Sequence, residues 1–179
     1  GNILDECGIC GGDGSCTPPE FYFNQSSKQA FYFFETASID LELLEASDWV
    51  GAFKGNICVG AKKWDTSLCS EEVCEIAVMG DDGNDDTDGY MLQGEIPEFK
   101  IFDYSSGETY NAVSSQEYSW LDLGIFVVDY LNVFPDCNGV LGGTVEDSDN
   151  DGVCDDVDDC IGVVDECGVC NGDGIPDDA

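Results

Sequence analysis

The strongest chemical pattern in the sequence is the acidic segment DSDNDGVCDDVD, residues 147–158. Oxygen-bearing side chains stand at alternate early positions of this loop, and Gly152 stands where a sharp turn is required. Such spacing directs several oxygens at one hard cation, and Ca²⁺ accepts about six to eight oxygen ligands at flexible angles. An acidic linker in solvent is the alternative, which the matched spacing disfavours. The predicted calcium ligands are Asp147, Asp149, Asp151, Asp155, Asp158 and the carbonyl of Val153.

Two further acidic segments have incomplete versions of this pattern. NGDGIPDDA, residues 171–179, resembles the start of another calcium loop, with Asn171, Asp173 and Asp177 as partial ligands. DDGNDDTDG, residues 81–89, contains alternating oxygen donors at Asp82, Asn84, Asp86 and Asp88. For the second segment, a calcium site and an ordinary solvated turn both remain open.

The composition excludes several classes of function. The chain has no histidine, so a Ser-His or Cys-His nucleophilic system cannot be built. No pair of carboxylates stands out as a glycosidase pair, and we expect no catalytic activity. Acidic residues number 39 against five lysines, for a net charge of -34. That charge disfavours nucleic acid and anionic membrane surfaces as partners.

Eleven cysteines in 179 residues indicate an oxidising, extracellular compartment. Cys7-x-x-Cys10 and Cys167-x-x-Cys170 also have the spacing of zinc knuckles, but the lack of histidine favours disulfides. We expect two of Cys58, Cys69 and Cys74 to bridge the loop at 64–72; spacing does not decide the other pairs. No apolar stretch is long enough for membrane insertion.

The chain divides by composition into three regions: 1–17, 18–135 and 136–179. The outer two are rich in Gly, Cys and Asp. DECGICGGDG at 5–14 returns as DECGVCNGDG at 165–174, with a looser variant, DCNGVLGG, at 136–143. Matching flanks are expected if one copy comes from a tandem array or if units join end to end; caps of a single domain are the alternative. The odd cysteine count and the incomplete last repeat predict that the array continues past Ala179.

The middle region has the pattern of an all-β domain. Apolar and aromatic runs without helical spacing predict strands at 21–25, 30–38, 73–79, 98–104, 109–113 and 124–131. A hairpin with Gly55 and Asn56 at its tip is predicted over 49–61, and residues 39–49 could form a short helix. This number of short strands favours an antiparallel β-sandwich, immunoglobulin-like or jelly-roll, flanked by irregular disulfide-rich repeats.

DSDNDGVCDDVDDC, residues 147–160, resembles a thrombospondin type 3 repeat. That resemblance implies that the aspartates bind calcium, that cysteines pair between successive repeats, and that Cys160 is the repeat cysteine. Cys154, inside the loop, departs from the family pattern. The DECG(I/V)CxGDG units resemble repeats of large secreted bacterial surface proteins, which join β-domains with phrases like DWVGAF, here residues 48–53. This second resemblance implies an extracellular location.

Together these features predict an extracellular, calcium-stabilised structural or adhesive module that self-associates as a repeating unit of a surface fibre. The alternative is a calcium-dependent carbohydrate-binding module, because a β-domain with aromatic side chains can present a platform for glycans. Trp64, beside two lysines, is the candidate for an exposed glycan contact. Asn24-Gln25-Ser26 fits a glycosylation sequon, a triplet that also occurs by chance.

Overall fold

The computed structural model describes residues 17–70, 73–165 and 167–172. The predictions made for Cys7, Cys10, Asp173 and Asp177 lie outside these residues. The chain forms two compact units that divide between Val133 and Phe134. No helix in the described segments is long and apolar enough to cross a bilayer.

The described residues of the first unit form eight strands. In chain order these are β1 (Gln29–Ile39), β2 (Glu42–Leu43), β3 (Trp49–Lys54), β4 (Ile57–Lys63), β5 (Cys74–Met79), β6 (Glu98–Asp103), β7 (Glu108–Ser114) and β8 (Ile125–Val133). Short 3₁₀ turns occur at Pro19–Phe21, Thr66–Leu68 and Asp85–Thr87, and the described residues contain no α-helix. The all-β class is therefore confirmed.

Two local predictions were wrong. The segment proposed as a short helix, 39–49, instead contains β2, which pairs with the end of β1. Asp40 and Leu41 between them adopt positive φ, a turn conformation that a helix does not allow. The segment proposed as a strand, 21–25, begins in the Pro19–Phe21 turn and pairs with no strand among the described residues.

The strands form one curled, mixed sheet in the order β2-β1-β8-β7-β6-β3-β4, with β5 also paired to β1. The β1–β8 pair is parallel, whereas the other pairs are antiparallel. A purely antiparallel arrangement was predicted, but β1 and β8 are far apart in sequence, so local patterns do not set their direction. The curl brings β4 back against β5, where a Cβ on Gly60 would collide with the carbonyl oxygen of Ala77.

The core of this unit lies on the concave face of the sheet. Ala30, Tyr32 and Phe34 of β1 are buried, and the residues between them are less so, which is the period-two pattern of a half-buried strand. Phe34 meets the rings of Trp64 and Phe99 edge to face. At one end Phe21 packs into a separate cluster with Trp49, Phe53 and Cys58.

The second unit has almost no apolar core. Among its described residues only Cys154 is buried, and its valines and isoleucines are mostly exposed. Disulfides join Cys137 to Cys154 and Cys160 to Cys170. In the first unit, the Cys69–Cys74 disulfide confirms the bridge predicted for that loop.

The same eight-residue turn occurs at 136–143 and again at 165–172, where Glu166 lies outside the described residues. In each copy the N–H of the first aspartate donates to the carbonyl of the valine four positions on, and its carbonyl accepts from the N–H of the glycine three positions on. The carboxylate of the same aspartate accepts from the N–H of that valine. Gly139 and Gly168 take equivalent positions with φ of 78° and 77°. The loose sequence variant at 136–143 therefore has the structure of the closer copy at 165–172.

Candidate metal centre

Three predicted ligands, Asp147, Asp149 and Asp151, converge in the loop of the second unit. Each offers one carboxylate oxygen, and these oxygens all lie within 4.8 Å of one another. Such an arrangement is unfavourable for three anions without a counter-charge. All lysines of the chain lie at or before Lys100, so this unit contains no basic side chain.

Backbone N–H groups of the same loop hold these carboxylates in place. Asp147 accepts from the N–H groups of Asp151 and Gly152, at 3.2 and 3.0 Å. Asp151 accepts from the N–H of Val153 at 2.8 Å. The tight wrapping requires positive φ, which Gly152 takes at 92°, as predicted for this position. The loop thus positions its carboxylates through its own backbone.

Asp149 extends the cluster to the following segment. One of its oxygens accepts from the N–H of Asp151 at 3.3 Å, and the other accepts from the N–H of Gly162 at 2.8 Å. Sequence spacing marked Asp149 as a ligand but did not indicate that it also contacts Gly162.

Asp158 has a buried oxygen without a partner. Its Oδ1 accepts from the N–H of Cys160 at 2.7 Å, whereas its Oδ2 is buried and has no hydrogen-bond partner. A buried, unpaired carboxylate oxygen is costly unless an ion or a donor compensates it. Asp158 lies outside the converging set of Asp147, Asp149 and Asp151 among the described residues. The all-oxygen donor set of those three aspartates fits a hard divalent cation, and Ca²⁺ tolerates the irregular angles of such a loop.

Asp155 was predicted as a ligand, but the structure gives it another role. Both of its oxygens accept from Ser148, one from the N–H at 2.9 Å and one from the hydroxyl at 2.6 Å. These bonds, that of the hydroxyl first, hold the pKa of the Asp155 carboxyl below its usual range. Asp155 does not belong to the converging set among the described residues, and it closes the loop instead.

Asn171, predicted as part of a second calcium site, holds the second eight-residue turn. Its N–H donates to the carbonyl of Val163 at 2.8 Å, and its side-chain oxygen accepts from the Val163 N–H at 3.3 Å. A Cβ on Gly162 would collide with this amide. The side chain is therefore already engaged with the chain's own backbone.

In the first unit, Asp82 is the centre of a hydrogen-bond network. Its Oδ1 accepts from Asn84 and from the hydroxyl of Thr87, and its Oδ2 accepts from the N–H and hydroxyl of Ser27. The Ser27 N–H, followed by the Thr87 hydroxyl, holds the pKa of this carboxyl far below its usual range. Asp82 thereby fastens the segment before β1 to the loop after β5.

The other predicted oxygen donors of that acidic segment, Asn84, Asp86 and Asp88, are exposed. The carboxylates of Asp86 and Asp88 do not join Asp82 in a converging set within the described chain, where the one such group is that at Asp147. The solvated-turn interpretation of 81–89 describes this geometry better than the calcium interpretation, because Asp82 is occupied by donors of the protein.

The prediction that Trp64 is exposed was wrong. Only 2% of its surface is accessible, and its ring packs edge to face on Phe34 in the core. It therefore offers no face to a sugar. The sequon residue Asn24 is exposed, and its side-chain amide donates to the carbonyl of Asp86 at 2.9 Å.

Comparison with protein-family models, with curated proteins and with solved structures finds no significant match to this chain.

Proposed function

We propose that this chain is an extracellular, calcium-stabilised structural or adhesive module that serves as a repeating unit of a surface fibre. The observation that carries the proposal is the convergence of Asp147, Asp149 and Asp151 in a unit that has no basic side chain and, in its described residues, no apolar core.

Such a unit cannot be stabilised in the usual way. Burial of apolar surface normally supplies most of the favourable free energy of folding, and here only Cys154 is buried among the described residues. The remaining stabilisation comes from two disulfides and from carboxylate-to-backbone hydrogen bonds. Bound calcium would supply the counter-charge for the three carboxylates and couple the shape of the unit to ion occupancy.

The repeated turn supports a role in a tandem array or an end-to-end assembly. The turns at 136–143 and 165–172 share one hydrogen-bond pattern, and the sequence at 5–12 is a close copy of the second. Repeats that contact mainly their neighbours are well suited to extended connectors. An extracellular location agrees with the three disulfides of the described residues, because such bonds persist in oxidising compartments.

Thermal unfolding of the full chain in millimolar calcium, in magnesium and in EDTA tests this function. We expect a transition assigned to 134–179 to appear at higher temperature in calcium than in EDTA, with the β unit less affected. Protease digestion should show cleavage within 134–179 only in EDTA. An unchanged melt and digestion pattern in EDTA would contradict the calcium role. Electron microscopy in calcium separately tests assembly, since monomers alone would rule out a self-assembling fibre.

A further inference from the structure

A groove of about 570 Å³ lies on the β6–β7 face, but a second groove, of about 520 Å³, has the more specific chemistry. Three segments of the first unit form this second groove: the chain before β1, the turn between β3 and β4, and the loop after β5. Its walls include Tyr22, Asn24, Asn56, Asp86 and Tyr90.

Tyr22 is held facing outward by its two neighbours. Phe21 is fully buried and meets the ring of Phe53 edge to face, and Phe23 packs against the same cluster. Side chains of an extended segment alternate in direction, so Tyr22 and Asn24 face solvent. Tyr22 is 57% exposed, which makes it an aromatic ring presented on a fixed backbone rather than a core residue.

The polar groups of the groove retain hydrogen-bonding capacity. The hydroxyl of Tyr90, which is only 4% exposed, accepts from the N–H of Asn24 at 2.7 Å and so fixes the backbone of this wall. The side chains of Asn56 and Asp86 are exposed and make no hydrogen bond to the described residues. An amide and a carboxylate with free hydrogen-bonding groups therefore line the same groove as the exposed ring of Tyr22.

We propose that this groove binds a neutral or amino-substituted glycan, with Tyr22 as the stacking platform. A binding site that combines an aromatic face with a few directed polar groups suits a sugar, whose rings have apolar faces and hydroxyl edges. Asp86 and Glu20 line the groove, and the whole chain carries a charge of -34, so sulfated, sialylated and uronic acid glycans are repelled.

This site is independent of the calcium proposal. It contains none of the residues of the 147–158 loop, and it replaces the incorrect glycan contact at Trp64. Glycan binding should therefore survive EDTA, whereas the structural role of the second unit should not. Failure of one proposal leaves the other standing.

The test uses the full chain, produced without N-glycosylation so that Asn24 stays unmodified. Binding of chitohexaose, cellohexaose and mannohexaose is measured by calorimetry and by saturation-transfer NMR, with an alginate hexamer as the anionic comparison. The variant is Tyr22→Ala. The matched control is Tyr104→Ala, which removes another exposed tyrosine that does not line the groove.

We expect at least one neutral or amino hexamer to bind and alginate not to bind. Tyr22→Ala should weaken binding by about tenfold or more, as for other central aromatic contacts, and Tyr104→Ala should leave it unchanged. Circular dichroism checks that both variants fold. Absence of binding by all three uncharged or amino hexamers, equal affinity in Tyr22→Ala, or preference for alginate would each overturn the proposal.

Discussion

The carboxylate of Asp149 accepts a hydrogen bond from the backbone N–H of Gly162, at 2.8 Å and across 13 positions of the sequence. Asp149 is also one of the three aspartates whose oxygens converge. Gly162 in turn lies against the amide of Asn171, which belongs to the second eight-residue turn. One carboxylate thus connects the acidic loop to the turn that follows it.

Substitution of Asp149 separates these two roles. Asp149→Asn keeps an oxygen that can accept from Gly162 but removes the charge, so calcium affinity should fall by about tenfold or more while the Gly162 amide stays protected. Asp149→Ala should lose both. Calorimetry with calcium and NMR hydrogen exchange at Gly162 measure the two effects.

Asp159→Asn is the matched control for this pair of variants, because Asp159 is exposed and lies outside the converging set. It removes the same charge from the same segment and should leave calcium affinity nearly unchanged. Equal losses of affinity in Asp149→Asn and Asp159→Asn would mean that only net charge matters, and that the loop is not a specific site.

The Cys137–Cys154 disulfide encloses most of the acidic loop within a span of 17 residues. Chain-entropy arguments assign about 3 kcal/mol to a ring of this size. Replacing both cysteines by serine should therefore lower the unfolding temperature of the second unit and weaken calcium binding, because the unfolded loop has more conformations to lose. Calorimetric titration and thermal unfolding with and without calcium provide the measurements.

The double serine variant at Cys69 and Cys74 is the comparison, since that disulfide lies in the β unit. It should not change calcium affinity. If the Cys137–Cys154 variant binds calcium as tightly as the unmodified chain, the loop is organised by its own hydrogen bonds and the disulfide is dispensable for the site.

The network around Asp82 predicts a specific response to acid. The folded-state pKa lies below the unfolded value, about 3.9, so the fold favours the ionised form. This stabilisation is fully present above the unfolded pKa and disappears as pH falls through the folded pKa. Thr87→Val removes one donor to the carboxylate and should raise the folded pKa, so that the stabilisation is smaller and its loss is complete at a higher pH.

Carboxyl NMR titration measures the Asp82 pKa. Thermal unfolding at pH values from about 2 to about 7 measures how the stability of the fold changes with acid. Asp85→Asn is the control, because Asp85 is exposed and its side chain has no hydrogen bond to the described residues. If Thr87→Val leaves the Asp82 titration unchanged, the hydroxyl does not contribute to the low pKa.

Local sequence patterns predicted the strands of the β unit well, because alternation along β1 and the Gly55-Asn56 turn are set by neighbouring residues. The parallel β1–β8 pairing depends on contacts between residues far apart in the chain, which no local pattern contains. Trp64 illustrates the same limit. The two lysines before it suggested an exposed position, but its ring packs against Phe34 of β1.

The candidate metal centre was predicted in part. Alternating aspartates and Gly152 correctly marked the converging residues Asp147, Asp149 and Asp151. Spacing alone could not distinguish a carboxylate that joins the converging set from one that accepts from Ser148, as Asp155 does. The groove at Tyr22 was missed because its walls come from three separate segments. The run Phe21-Tyr22-Phe23, in which an extended chain directs the middle ring away from its neighbours, was the available signal.

The turn at 136–143 closes most of its backbone hydrogen bonds on itself or on adjoining residues, and the described residues of the turn at 165–172 do the same. Duplication or deletion of one such turn, together with its adjoining loop, would leave few donors or acceptors elsewhere without partners. Genetic change could therefore alter the length of the second unit in whole steps while the β unit keeps its own packing. Length becomes a property that selection can adjust separately from the β unit.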